Sequence, residues 1–129
     1  MLRSTDRAIL ATIEHTAAKK PYASLVMVAC RQDSTPILLL SGLAEHTQNI
    51  KENQQASLLI DRTAGLDNPL TGSRVTLPCN VTKSEAESDR QRFINRHSSA
   101  TDYTNFSDFS FYTFAIKRVH IVAGFGHIH

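Results

Sequence analysis

Leu38-Leu39-Leu40-Ser41-Gly42-Leu43-Ala44-Glu45-His46-Thr47-Gln48-Asn49-Ile50 is the stretch around which the rest of the chain is arranged. An apolar run too short for a helix meets a Ser-Gly break, and a polar-faced segment of helical character follows at once. A strand feeding directly into a helix leaves unpaired backbone N–H groups and the positive end of a dipole at one spot. Such a spot suits an anion, above all a phosphate. Ser41, His46 and Thr47 set hydroxyl and imidazole donors beside it. The junction is therefore expected to hold the phosphate of a cofactor.

Upstream of this junction the sequence reads as three strands. Residues 8–13 form the first, with helix as the alternative over so short a run. Residues 22–30 are β-branched and aromatic, bounded by Pro21 and by Arg31-Gln32-Asp33-Ser34, and Pro36 opens a third strand through Leu40. The connecting loops are short and polar, which predicts an antiparallel meander. Downstream, a helix is expected over 43–53, with Leu43, Thr47 and Ile50 sharing a face, and a fourth strand over 56–61. Two glycines, a proline and an Asp-Asn pair make 63–73 a long loop. A fifth strand starts at Arg74. Pro78 cannot donate to a ladder, so the strand is bulged there or lies at an edge. Ser84-Glu85-Ala86-Glu87 matches a capping box with Ser84 as N-cap. It opens a helix to about Arg96, anchored by Phe93 and Ile94 and laid across the barrel surface. Residues 109–117 are an aromatic-rich strand, and 119–123 continue it or start another.

The sequence has 129 residues, 41% apolar and 20% charged, the composition of one globular domain spanning 1–129. Fourteen Lys+Arg against 12 Asp+Glu leave a formal charge of +2, too small and too evenly spread for a nucleic-acid partner. No apolar run approaches the ~18 residues of a membrane span, and the first six residues lack the apolar core of a signal peptide. Cys30 and Cys79 are too few and too far apart for a disulfide scaffold or a zinc site, and read as reduced thiols of a cytoplasmic protein. Six strands interrupted by two helices give a mainly β fold, a small barrel with peripheral helices. No Gly-x-Gly-x-x-Gly follows a strand, and neither Ser24 nor Ser41 lies in a Gly-x-Ser-x-Gly elbow. His127 and His129 form a His-x-His tail, a candidate pair of haem or metal ligands or a frayed chain end. Arg74, after a Gly-Ser turn, needs an anionic partner or solvent.

Several of these segments also resemble a known family. Pro21-Tyr22-Ala23-Ser24-Leu25-Val26, the 39–50 junction, Ala56-Ser57-Leu58-Leu59-Ile60, Asp67-Asn68-Pro69-Leu70, Ser73-Arg74-Val75-Thr76-Leu77 and Gly124-Phe125-Gly126 occur in the order found in FMN-binding split barrels related to pyridoxamine 5'-phosphate oxidase. Within that superfamily the chain most resembles the haem-iron-utilisation (HugZ-like) branch. The resemblance implies a six-stranded antiparallel split β-barrel that forms a homodimer, with FMN in two grooves between subunits. It implies that Ser24, Leu25 and Val26 run along the flavin and that Ser41 lies near the ribityl phosphate. His46 and Thr47 would stand at the phosphate in place of the oxidases' Arg-Lys pair, and Arg74 would reach the flavin from the other subunit. Losing that pair removes permanent charge and argues against pyridoxamine phosphate oxidation. The expected function is an FMN-dependent oxidoreductase with no assignable catalytic residue. The alternatives are a haem-binding or haem-degrading protein and a split-barrel dimer without a ligand.

Overall fold

The computed structural model describes residues 5–63, 65–102, 108–116 and 118–123. The strands are β1 (Arg7–Ile13), β2 (Pro21–Met27), β3 (Ala29–Cys30), β4 (Pro36–Ser41), β5 (Gln55–Asp61), β6 (Ser73–Ser84), β7 (Phe109–Ile116) and β8 (His120–Ala123). Helix α1 (Glu45–Glu52) lies between β4 and β5, and α2 (Glu87–Arg96) between β6 and β7. No described helix is long and apolar enough to cross a membrane.

The strands pair in the order β2-β1-β5-β6-β7-β4-β3, every pair antiparallel, with β8 on β6. Only Val28 separates β2 from β3, so the two ends of this sheet are one continuous path of chain. The sheet therefore curls on itself, and its segments occupy six tracks, the split barrel implied by the resemblance. The hairpins β1–β2 and β3–β4 form as expected, but the meander breaks at Val28. Val28 N donates to Asp6 O at 3.0 Å, and the chain then crosses from one sheet end to the other. β4 meets β3 only at Pro36 and Ile37. Beyond them the barrel is open, and α1 packs against β1 and β2 at this opening.

Alternation along the strands divides the apolar residues into two cores. Leu10, Val26, Leu38, Leu40, Leu58, Ile60, Leu77, Val81 and Phe114 fill the barrel. Outside it, Ala29, Ile37, Phe93, Ala100 and Phe111 form a second cluster beneath α2. That cluster explains why a helix otherwise polar lies on the barrel surface: Phe93 anchors it as expected, whereas Ile94 is only partly buried and stands outside the cluster.

Pro78 acts as expected. The ladder from β6 to β5 runs unbroken through Ser57↔Pro78, whereas on the other side it stops at Cys79↔Ile116 and resumes at Thr76↔His120. The register shifts by one residue across this gap, a bulge.

Two sequence expectations need correcting. Helix α1 begins at Glu45, and Leu43 is 82% exposed rather than on the inner face. The Ser41 hydroxyl accepts the Leu43 N–H at 3.2 Å and holds that residue in a turn. Ser84 ends β6 and does not cap α2, whose N-cap is Ala86. Its hydroxyl is drawn to Asp89 instead, where Arg31 already forms a two-pronged ion pair through Nε (2.8 Å) and Nη2 (2.7 Å). A charge-assisted network outcompetes a neutral cap.

Candidate functional site

The opening filled by α1 brings together part of the expected site. On β2 the side chains of Ser24 and Val26 turn inward while Ala23, Leu25 and Met27 face out; Val26 is buried, Leu25 is 64% exposed and Met27 45%. His46, in the first turn of α1, lies half-buried over β2 with its Nδ1 3.1 Å from Ser24 Oγ. Burial pushes the imidazole below its ordinary pKa, so it is neutral at neutral pH. Its Nε2 has no hydrogen-bond partner among the described residues.

A buried polar clamp fixes α1 in place. Asn49 is fully buried; its Oδ1 accepts from His15 N (2.9 Å) and His15 Nδ1 (2.8 Å), and its Nδ2 donates to Thr12 Oγ1 (3.0 Å). Because this clamp joins α1 to β1 and the turn after it, the position of His46 over β2 is set by the fold. Nothing in the sequence pattern singled out Asn49 or His15, since each is an isolated polar residue.

Ser41 ends β4 as expected, but its hydroxyl is engaged. It donates to Asp108 Oδ2 at 3.2 Å, while Gly42 N donates to the Asp108 carbonyl. A Cβ on Gly42 would lie 3.1 Å from that carbonyl, so the turn closes tightly on Asp108. Asp108 was missed because it follows an irregular polar stretch. Thr47 is fully buried on the inner side of α1, and its Oγ1 has no partner. Arg74 lies on β6, across from Asp61 of β5, with Nη1 3.5 Å from Gly72 O. Strands β1 and β5 intervene between it and β2, a lateral distance of about 14 Å at ordinary strand spacing. One chain therefore does not bring Arg74 to His46. His127, His129 and Gly124-Phe125-Gly126 lie outside the described residues.

This geometry does not fit the phosphate of FMN at the strand-to-helix junction. A carboxylate, Asp108, already takes the Ser41 hydroxyl and sits against the turn. Glu45 places a second carboxylate in the first turn of α1, where it satisfies the dipole that an anion would have met. His46 is neutral and Thr47 faces the core. The orphaned hydroxyl yields a direct test: Thr47→Val exchanges an unpaired buried polar atom for a methyl of the same shape. It is expected to raise stability by about 1 kcal/mol in urea denaturation. A loss of that size instead would show that the hydroxyl has a partner.

A six-track antiparallel barrel with a helix set into its opening defines a split barrel. A model described as "CREG, beta-barrel" matches residues 1–129, and the chain belongs to that family. It is 34% identical over 127 residues to a chloroplastic protein of Arabidopsis thaliana named non-canonical heme oxygenase HOZ, covering 96% of this chain and 38% of that protein. A solved structure described as a heme binding protein from Mycobacterium smegmatis superposes with a TM-score of 0.89 at 30% identity, over 98% of this chain and 52% of the other. A candidate pyridoxamine 5'-phosphate oxidase from Listeria innocua shares the fold at a TM-score of 0.71 and 15% identity, over 95% of this chain and 93% of that one. The chain thus spans about half the length, or less, of the two relatives whose names mention heme.

Proposed function

We propose that this chain is a haem-binding split barrel and that His46 would hold the haem through its imidazole. The observation that carries the reading is the state of that imidazole: neutral, held at Nδ1 by Ser24, and without a partner at Nε2 among the described residues. A neutral imidazole whose second nitrogen is fixed by a hydrogen bond is an oriented ligand for iron. The names of the Arabidopsis and mycobacterial relatives support haem as the ligand. FMN is the weaker reading because two carboxylates, Asp108 and Glu45, flank the strand-to-helix junction where its phosphate was expected. We place the site in a groove completed by a second copy of the chain. The outward row Leu25–Ile9–Leu59, in register across β2, β1 and β5, supports this arrangement.

Bound haem would supply a redox-active iron; the protein's own residues position it. Ser24 sets the ring orientation, and the Asn49–His15–Thr12 clamp keeps α1 from moving away. Burial keeps the imidazole unprotonated, so ligation should persist to a lower pH than an exposed histidine would allow.

Haemin titration followed at the Soret band tests the proposal. The wild-type chain is expected to shift the band saturably, and His46→Ala to abolish the shift. Ser24→Ala should weaken binding about tenfold, as loss of a ligand's hydrogen-bond partner does. Replacing both His127 and His129 should leave the spectrum unchanged. A Soret shift that survives His46→Ala but is lost with the two C-terminal histidines would move the ligand to the tail. No shift in folded wild-type protein would remove haem altogether.

A further inference from the structure

The opposite flank of α1 carries a feature that the haem reading does not use. Residues 46 and 49 face β1 and β2; two positions on from each, Gln48 and Lys51 look the other way, as helical geometry requires. They line a groove of about 590 Å³ at the mouth of the barrel, closed on its far side by β6 and β7. That volume lies within the ~300–1,000 Å³ typical of small-molecule pockets.

Buried Ile50, Val81 and Tyr112 line the groove and give it an apolar floor. Lys51 from α1 and Lys83 from β6 stand on its two walls, and Leu43, largely exposed, lies at its edge. Lys83 Nζ is 3.8 Å from Glu85 Oε1, but both side chains are more than half exposed, so the pair is weak and easily exchanged. Asp108 also lines the groove, its carboxylate occupied by the Ser41 hydroxyl. The Tyr112 hydroxyl, on a residue only 7% exposed, has no hydrogen-bond partner among the described residues. Burial raises its pKa, so it remains a donor. The hydroxyl reaches the groove rather than a protein acceptor, so it is available to donate to a ligand there.

We propose that this mouth is a second ligand site for a small organic anion, with its apolar ring on Ile50, Val81 and Tyr112 and its acidic group between Lys51 and Lys83. The Tyr112 phenol would donate to an acceptor on the ring. The site belongs to one chain, and it neither needs a second copy nor depends on haem.

Fluorescence titration of the full chain with 8-anilinonaphthalene-1-sulfonate, an aromatic ring system bearing one acidic group, is the test. Saturable binding of one probe per chain is expected. Lys51→Gln with Lys83→Gln, both at exposed positions, should weaken it about tenfold, the order for two solvent-screened charge contacts. Ser110→Trp, which fills the mouth, should abolish it, and Leu25→Asp, on the outward row of β2, should leave it unchanged. Benzoate should compete with the probe. Binding that ignores the lysine pair, or that disappears with Leu25→Asp, would overturn the proposal. Because the lysine variant keeps His46, its haemin titration reports separately on the first site.

Discussion

Replacing Phe93 by alanine is expected to cost about 3–5 kcal/mol. Phe93 is 2% exposed and meets Phe111 edge-on at 5.7 Å and the His97 ring at 4.9 Å. It is the one fully buried apolar side chain that α2 contributes, so alanine would leave a cavity that the polar remainder of the helix has no means of filling. His97 would lose its packing, although its Nε2 lies 2.8 Å from the Val28 carbonyl, where β2 passes into β3. The variant should therefore lose amide-exchange protection first in α2. Haemin binding in the fraction that stays folded should be unchanged, since His46 rests on the other core. Urea denaturation gives the magnitude; a cost below about 1 kcal/mol would mean that α2 does not pack as described.

Arg31→Met is expected to follow, at about 3 kcal/mol. Asp89 is 1% exposed while Arg31 is 39% exposed, so the two halves of their ion pair are unequal. Removing the arginine strands a buried carboxylate with only Ser84 to satisfy it. Removing the acid by Asp89→Asn frees an arginine that can reach water, and should cost about half as much. Arg31 above all, with help from Ser84 and against desolvation, holds the Asp89 carboxyl below its ordinary pKa of 3.8. A depressed carboxylate stabilises the native state at pH above its unfolded value, and that contribution is lost as pH falls below 3.8 through the folded value. The gap between wild type and Arg31→Met should thus be full at about pH 7 and narrow near pH 3. An equal gap at both pH values would show that charge is not what the pair contributes.

Much of the fold was legible because its signals are local. The apolar runs at Leu38–Leu40 and the aromatic alternation from Phe109 to Phe114 fix strands by period alone. Pro78 announced its bulge through a missing donor. The Ser84 box failed for a non-local reason: Arg31 lies far away in sequence, and no spacing rule shows that it draws Asp89, and through it Ser84, into one network. The strand-to-helix junction was located correctly, but its chemistry was not legible. Asp108 and Glu45 place negative charge where the pattern Ser41-Gly42 suggested an anion, and only the folded arrangement brings Asp108 there. Conversely, the contact of His46 with Ser24 joins two residues picked from the sequence for an FMN phosphate and an isoalloxazine, and the haem proposal is built on it.

The chain's crossing at Val28 also bears on how the protein is made. β4 pairs with β3 at two positions only, and along most of its length it pairs with β7. Ile37 must therefore wait for Thr113, and Leu39 for Phe111, before their backbone groups are paired. During synthesis the most apolar strand of the barrel leaves the ribosome with an open edge and keeps it until the last third of the chain arrives. Such long-range pairing is slow to form, and an unpaired apolar edge is a template for association with other chains. The feature that closes the barrel on itself thus also creates an interval in which the nascent chain carries an unpaired apolar edge.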